Sequence, residues 1–400
     1  MKFIISRDIL IKSLTLLIGL INKHQTIPIL SNILIKVYKN HVIEMISSNL
    51  EMELKSNIYI KHKEHKEHKE HKEHKEHIES GSTTVAASKL MYICKSLTEN
   101  TQINFETINT KLVVYTNNSK FILSTINSNL FPKFDKNKTN NLIFTINKNI
   151  LKHLIQLTYF AMAEEDIRYY LNGMLLEIHN KNIITTATDG HRLACCSKYM
   201  INNMFHGFKK IILPRKSIFI LIRLLKLKLK QEEEILKVTI GINFFKIQIK
   251  NFIFITKNID GQFPSYKEVI PKLYTNRILI NKNELRLALL RSAIFSKEKN
   301  KSIVFKIKHE QKEIYINSIN SDKEIVNEYI SINYHGNKIE IGFNVDYLID
   351  VLNVIKTNYI YISFYNSNKS ILIEPIITKN NIINFNNEYK YKYIVMPIII

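Results

Sequence analysis

The sequence predicts an α+β protein in which one kind of domain is repeated three times. A short alternating strand, a polar turn and an amphipathic helix occur together at Lys2–Leu20, at Leu142–Phe160 and at Arg277–Phe295. These stretches are spaced by about one third of the 400 residues. In the middle copy Asn147 stands at the expected N-cap position. The apolar residues that follow it recur on one helical face: Ile150, Leu151, Leu154, Leu157 and Phe160.

A second helix is expected in each third, at Ala86–Leu97, at Pro214–Lys228 and at Asn344–Ile355. Each third then holds two helices and roughly eight strands, and looks like two similar halves. We expect pseudo-symmetric domains at 1–140, 141–275 and 276–400, with sheets outside and helices gathered on one side. Besides the three opening strands, the expected strands are Ile33–Val37, His41–Ser47, Leu54–Ile60, Thr101–Glu106, Lys111–Thr116, Lys120–Ile126, Leu171–Ile178, Ile183–Asp189, Leu236–Ile240, Phe244–Ile249, Phe252–Asn258, Ile303–Lys308, Glu313–Ser318, Tyr359–Phe364, Ser370–Ile373 and Tyr393–Ile399.

The composition predicts a soluble, cytoplasmic globular protein. Apolar residues make up 45% of the chain and charged residues 23%. No apolar run approaches the roughly 20 residues of a membrane span, and Arg7 and Asp8 interrupt the region where a secretory signal would be apolar. The three cysteines, Cys94, Cys195 and Cys196, form no disulfide framework, and we expect them to be reduced packing residues.

The formal net charge of +22 indicates a polyanionic partner, with nucleic acid first. A coding bias is the competing explanation, because the chain is rich in the Lys, Asn and Ile that AT-rich codons specify. The placement of the charge favours binding, since five of the six expected helices are net basic and only Asn344–Ile355 is acidic. Such a surface holds phosphates without reading the base sequence.

A low-complexity tract, His62–His77, lies within an insertion at 61–78 in the first third. Its repeated His-Lys-Glu triplets nearly cancel in charge. The histidines offer ligands for a transition metal. An expanded surface loop is the simpler explanation, because loops tolerate insertions. We expect the tract to be either helical or disordered, and we assign no metal site.

The chain carries no recognisable enzyme motif. Gly-rich dinucleotide and phosphate-binding loops, HExxH and CxxC are all absent from the sequence. Asp189 and His191 offer an acid and a base, but Asp189-Gly190 at the end of a strand is typical of a turn. We therefore expect no catalytic residue, no cofactor and no enzymatic activity.

Nine phrases along the chain carry a resemblance: Met1–Phe3, Thr26–Asn32, Asn49–Glu53, Arg168–Met174, Ala187–Ala194, Leu213–Lys216, Phe263–Tyr266, Ile341–Val345 and Val395–Pro397. They run the length of the chain and resemble those of the bacterial DNA polymerase III beta subunits, the sliding clamps. The Ile, Lys and Asn bias is similar to that of a reduced, AT-rich bacterial genome. The resemblance implies a processivity-fold clamp domain in each third, and a head-to-tail homodimeric ring around duplex DNA with basic helices lining the hole. It implies a non-catalytic, nucleoid-associated subunit that tethers the replicative polymerase during DNA replication.

The resemblance also implies a peptide groove between the second and third domains. Family grooves take short apolar peptides from the polymerase alpha subunit, the clamp loader, other polymerases and repair proteins, and methionine gives such a groove an adaptable lining. Glu268 stands where the family often has a basic residue. The matching groove positions are Leu171, Thr188, Gly190, His191, Arg192, Leu193, Pro264, Val269, Asn344, Tyr347, Ser370, Met396, Pro397 and Ile398.

A DNA-binding face is implied in the same way. Its matching positions are Tyr169, Tyr170, Arg215, Lys216 and His24. Three positions depart from the family pattern: His24 and Ser88 stand where arginine is common, and Glu165 stands where a neutral amide is found. Glu165 is expected to repel phosphate.

The dimer interface is expected to pair the edge strand Lys120–Ser124 with the third domain of the partner subunit. Phe121 and Leu123 are expected to pack near Ile294 and Phe295 across it.

Two other classes of protein stay open: a nucleic-acid-binding protein that uses its basic helices as an open platform, and an enzyme acting on nucleic acid.

Overall fold

The computed structural model describes most of the chain. His24 and the tract His62–His77 lie outside the described residues, so the expectations for them stay predictions. The described ranges are 1–21, 26–60, 78–134, 141–179, 181–200, 208–230, 234–271, 274–296, 301–308, 312–334, 336, 338–376 and 389–398.

All six expected helices are present, and asparagine caps explain where three of them begin. Asn147 accepts a hydrogen bond from the backbone N–H of Asn149 at 2.8 Å, and Asn281 and Asn344 cap their helices in the same way. The expected helix Lys148–Phe160 ends earlier, at Gln156, and a 3₁₀ turn follows it. The helices are α1 Arg7–Ile18, α2 Ala87–Ser96, α3 Lys148–Gln156, α4 Arg215–Leu225, a short unexpected α5 Tyr266–Val269, α6 Lys282–Phe295 and α7 Val345–Val354.

The described residues form 24 strands, eight in each third of the chain. Nineteen were expected; the five that were not are β5, β12, β13, β20 and β21. The strands are β1 Lys2–Ser6, β2 Asn32–Val37, β3 Val42–Ser48, β4 Met52–Tyr59, β5 Gly81–Ala86, β6 Gln102–Ile108, β7 Lys111–Tyr115, β8 Lys120–Ser124, β9 Leu142–Asn147, β10 Gly173–His179, β11 Asn182–Thr188, β12 Arg192–Tyr199, β13 Phe208–Pro214, β14 Ile235–Ile240, β15 Phe244–Ile249, β16 Phe252–Lys257, β17 Asn276–Asn281, β18 Ser302–Lys308, β19 Glu313–Ile319, β20 Ile325–Ser331, β21 Ile339–Asn344, β22 Tyr359–Phe364, β23 Ile371–Pro375 and β24 Tyr389–Val395.

The strands form four antiparallel sheets that make the repeat visible. Two sheets have four strands, in the orders β1-β6-β7-β8 and β20-β19-β18-β21. Two sheets have eight, in the orders β5-β2-β3-β4-β16-β15-β14-β9 and β13-β10-β11-β12-β24-β23-β22-β17. Each eight-stranded sheet joins four strands of one repeat to four strands of the next. The joins are β4 against β16, where Leu54 faces Phe254, and β12 against β24, where Leu193 faces Ile394.

The described chain divides into two compact units. The first comprises Met1–Asn149 and Phe219–Asn258, and the second comprises Ile150–Ile218 and Ile259–Ile400. In each unit the core consists of apolar residues on alternate strand positions and on the inner faces of helices. Phe3 and Phe105, for example, stack in the first unit with their ring centroids 4.6 Å apart.

The first residue of the opening helix has the same role in all three repeats. It is basic, and its side chain donates a hydrogen bond to a carbonyl in the last turn of the second helix or just beyond it, where helix carbonyls lack partners. Part of the basic charge that the sequence assigns to the helices therefore joins helix ends. The three bonds are Arg7 Nε to Cys94 O at 3.0 Å, Lys148 Nζ to Leu227 O at 3.1 Å and Lys282 Nζ to Ile355 O at 3.0 Å.

Candidate binding surfaces

Nine of the fourteen expected groove residues line a single cavity of about 190 Å³, which lies within the second unit. The same cavity is lined by Arg168, Tyr170, Tyr266 and Ile394, which the sequence had not placed there. Its walls are mainly apolar or aromatic, which suits a hydrophobic ligand with a few fixed polar contacts. The nine residues are Leu171, Thr188, Gly190, His191, Arg192, Leu193, Pro264, Val269 and Met396.

One wall of the cavity is the tight turn between β11 and β12. Gly190 has φ +93, a conformation that L side chains rarely adopt. Asp189 Oδ1 accepts hydrogen bonds from the backbone N–H groups of His191 and Arg192, both at 3.0 Å. Thr188 Oγ1 donates to the Arg192 carbonyl at 2.6 Å and accepts from the Gly190 N–H at 3.1 Å. The expected turn is confirmed, and Asp189 acts in it as a turn-forming carboxylate.

Arg192 fixes the base of this wall. Its guanidinium donates to Asp189 Oδ2 at 2.9 Å, to Asp350 Oδ2 at 2.6 Å and to the Phe160 carbonyl at 2.7 Å. It also lies 4.4 Å from the centroid of the Tyr347 ring, within cation–π distance. Arg192 therefore links the turn to α7, whose acidic residues the sequence could not place.

The opposite wall is the segment that leads into α5. Phe263 and Tyr266 are buried in a cluster with Leu175, Leu193 and Ile394 from the sheet beneath them. Pro264 and Val269 are exposed and face the cavity. The apolar cluster therefore holds this segment against the sheet and leaves its outer side open for a ligand.

The other five expected groove residues do not line this cavity. Asn344 caps α7, and the carbonyl of Tyr347 accepts a hydrogen bond from Tyr393 Oη at 2.8 Å. Ser370 is half-buried just before β23. Pro397 and Ile398 follow Met396, whose N–H donates to the His191 carbonyl at 2.9 Å.

The described residues expected on the DNA-binding face differ in solvent exposure and in the hydrogen bonds they already make. Tyr169 and Lys216 are exposed. Tyr170 packs against the apolar cluster and lines the cavity. Arg215 donates to the Met162 carbonyl at 2.8 Å and to Glu164 Oε2 at 3.1 Å, so its guanidinium is already engaged.

The loop before Tyr169 is held by its own polar groups. Arg168 donates to both carboxylate oxygens of Asp166, at 3.0 and 2.9 Å, and these bonds lower the pKa of Asp166 to about 2. Glu165 is exposed and has φ +55. Among the described residues two other positions depart from the family pattern, Ser88 on α2 and Glu268 on α5, and both are exposed as well.

The residues expected at the dimer interface lie on an edge strand and at the end of a helix. β8 is an edge strand of its sheet, as expected, with Phe121 and Leu123 half-buried. Near the end of α6, Ile294 is 62% exposed and Phe295 is half-buried. An edge strand with apolar side chains is a ready site for pairing with another chain.

The described residues show no sign of a metal site or a reactive thiol. No group of three or more His, Cys, Asp or Glu among them is placed to hold a metal ion. All three cysteines are free, and burial raises the pKa of Cys94 to about 12. Within the same residues, no helix is long and apolar enough to cross a bilayer.

Three family models match the chain in order. They are the N-terminal, central and C-terminal domains of the DNA polymerase III beta subunit, at residues 1–135, 145–265 and 267–389. The chain belongs to the beta sliding clamp family. This confirms the resemblance, the three-domain α+β clamp fold and the role of a non-catalytic processivity subunit in DNA replication.

Relatives of the beta sliding clamp family match nearly the whole chain. The beta sliding clamp of Proteus mirabilis is 35% identical over 376 residues, covering 94% of this chain and 96% of that protein. The beta sliding clamp of Buchnera aphidicola subsp. Rhopalosiphum padi is 37% identical over 385 residues, covering 96% and 98%. The crystal structure of the DNA polymerase III subunit beta from Pseudomonas aeruginosa superposes with a TM-score of 0.87 at 34% identity, covering 100% of both chains.

Proposed function

We propose that this chain forms a head-to-tail homodimeric ring that encircles duplex DNA and tethers the replicative polymerase. In this proposal the thirds 1–140, 141–275 and 276–400 are the three domains of half the ring. The cavity beside the β11–β12 turn receives apolar peptides from the polymerase alpha subunit, the clamp loader and repair proteins. The observation that carries the proposal is the convergence of nine groove residues on one cavity.

The chemistry of the cavity supports a peptide ligand. Met396 and Val269 are 41% and 40% exposed at its mouth, so each offers apolar area for a ligand to cover. Arg168 and His191 add polar groups at the rim. A pocket of this kind suits an extended peptide with apolar anchors.

Exposed basic side chains support sequence-independent DNA contact. Lys89 and Lys95 are exposed on α2, and Lys216 and Arg223 are exposed on α4. Diffuse charge of this kind binds phosphates through counterion release and leaves the protein free to slide. The engaged Arg215 contributes less to such a face than its sequence position suggests.

The dimer in this proposal pairs β8 with the third domain of the partner. The exposed Ile294 at the end of α6 would be covered on closure. Ile294→Asp should therefore convert the dimer to a monomer in sedimentation velocity. Leu279→Asp is the matched control, because Leu279 is 43% exposed on β17, outside the proposed interface.

Peptide binding is tested with labelled overlapping peptides of the polymerase alpha subunit from the same organism. Met396→Ala should weaken the tightest peptide about tenfold, the loss expected for a buried apolar anchor. Leu279→Ala should leave that affinity unchanged. Equal affinities for the two variants would place the peptide elsewhere.

The ring is tested by loading the protein onto nicked circular plasmid with the cognate clamp loader and ATP, followed by gel filtration before and after linearisation. A ring stays on the circle and runs off the cut end. Equal retention on both, with a monomeric mass in solution, would favour the open-platform alternative. Loss of a chemical step in His191→Ala would favour the nucleic-acid enzyme.

A further inference from the structure

Tyr266 joins the candidate groove to a buried carboxylate. It lies in α5 and is 4% exposed, and its ring belongs both to the cavity lining and to the apolar cluster below. Its hydroxyl donates a hydrogen bond to Glu177 Oε2 at 2.6 Å. The two residues are 89 positions apart in the chain, so the bond links the α5 segment to strand β10.

Glu177 is itself withdrawn from solvent. It is 4% exposed, and its cross-strand neighbour on β13 is Lys210. Lys210 Nζ lies 3.8 Å from Glu177 Oε1, beyond hydrogen-bond distance, and the Lys210 side chain is 45% exposed. Within the described parts of the chain, the Tyr266 hydroxyl is therefore the close hydrogen-bond donor to this carboxylate, which would be costly to leave unpaired.

We propose that the Tyr266–Glu177 hydrogen bond is the positioning contact of the peptide groove. The other fully buried members of the cluster that holds the α5 segment are apolar, and apolar packing alone does not fix direction. The hydrogen bond fixes the direction of the Tyr266 ring, and with it the wall that carries Pro264 and Val269. Tyr266 acts through this wall, and the inference rests on the proposed peptide function.

Tyr274 provides a matched control within the same cluster. Its ring packs against that cluster, but its buried hydroxyl has no hydrogen-bond partner among the described residues. Burial raises the pKa of Tyr274 to about 12, so the hydroxyl stays protonated at neutral pH. Tyr274→Phe and Tyr266→Phe each remove a hydroxyl from a ring that packs in this cluster, and only the second breaks a hydrogen bond that the described part of the chain makes.

The test measures the affinity of the tightest alpha-subunit peptide by fluorescence anisotropy, at a temperature where circular dichroism shows every variant to be folded. Tyr266→Phe should raise the Kd about fivefold to tenfold, the scale of one hydrogen bond to a charged group. Tyr274→Phe should leave the Kd within about twofold of wild type, since its hydroxyl positions no wall of the groove.

A double variant separates positioning from general destabilisation. Tyr266→Phe leaves Glu177 buried without its donor, whereas Tyr266→Phe with Glu177→Leu removes both polar partners. With Glu177→Leu also measured alone, the double variant should bind the peptide about as weakly as Tyr266→Phe alone, because both changes remove the same hydrogen bond, a coupling that independent losses would not produce.

The outcomes distinguish this inference from the proposed function. Equal Kd values for Tyr266→Phe and Tyr274→Phe, with wild type binding normally, would overturn the positioning role and leave the groove proposal standing. Additive losses in the double variant would also overturn the positioning role. Wild-type protein that binds no alpha-subunit peptide would overturn the groove proposal and the inference with it.

Discussion

Lys148 and Lys216 allow a stabilising lysine to be separated from a DNA-binding one. Both begin or nearly begin a helix of the second repeat, and the sequence assigns both to the basic helical surface. Lys148 is 8% exposed and donates to the Leu227 carbonyl at 3.1 Å. Lys216 is exposed. Each is changed to methionine, which keeps the apolar stem and removes the ammonium group. We predict that Lys148→Met lowers stability and leaves DNA binding unchanged, and that Lys216→Met weakens DNA binding and leaves stability unchanged.

The magnitude follows from burial. A hydrogen bond from a charged donor contributes about 1.5–3 kcal/mol to stability. The buried Lys148 ammonium makes one such bond. Lys148→Met should therefore lower the free energy of unfolding by about 2 kcal/mol. Lys216→Met should change it by less than about 0.5 kcal/mol, as exposed substitutions usually do.

DNA binding should show the reverse. The logarithm of the affinity for a labelled duplex falls with the logarithm of salt concentration, and each phosphate contact contributes about 0.9 to the slope. Lys216→Met should reduce the slope by about that amount, and Lys148→Met should leave it unchanged. The measurements are guanidinium denaturation followed by circular dichroism, and fluorescence anisotropy over a salt series. A reduced slope with unchanged stability in Lys148→Met would refute the reasoning.

Four further changes have defined outcomes. Arg192→Ala should cost about 3 kcal/mol in denaturant unfolding, because it removes the ion-pair partner of the largely buried Asp189 carboxylate. Burial and nearby lysines lower the pKa of His153 to about 4, so stability should fall as pH drops from about 6.5 towards 4; in His153→Phe this loss should be smaller. Cys94 should resist iodoacetamide in the native protein and react after denaturation, as a mass shift would report. Asn281→Ala should cost about 1 kcal/mol through the lost cap of α6, whereas Asn281→Asp should retain most of it.

The helices were predictable because their signals are local. An asparagine cap followed by apolar residues at helical spacing specifies α3, α6 and α7 within a few residues. Two of the missed strands, β5 and β12, lack a clear local signal of their own. β5, GSTTVA, has little apolar alternation, and β12, RLACCSKY, is made of small and polar residues. They are strands because β2 in the first case and β11 and β24 in the second supply partners.

In the candidate groove, too, residues with a local sequence signal were predictable, and contacts that only folding creates were not. The turn residues Thr188 and Gly190 were predictable, because a few adjacent residues carry both the family phrase and the turn geometry. Tyr266 and Glu177 were missed as a pair, because only the packing of the α5 segment over β10 brings them together. The engagement of Arg215 by Met162 and Glu164 was equally hidden, since sequence reports a charge and not its partners.

The join between β4 and β16 has a consequence for how the chain is made. β4 ends at Tyr59 and its partner β16 begins at Phe252, so the ribosome must synthesise most of the second repeat before the pair can form. At about 5–20 residues per second this delay is on the order of 10 to 40 s. During that interval the nascent first repeat carries an unpaired strand edge, the surface on which neighbouring nascent chains aggregate. Emergence of β16 would then close the edge and complete the first repeat on the ribosome.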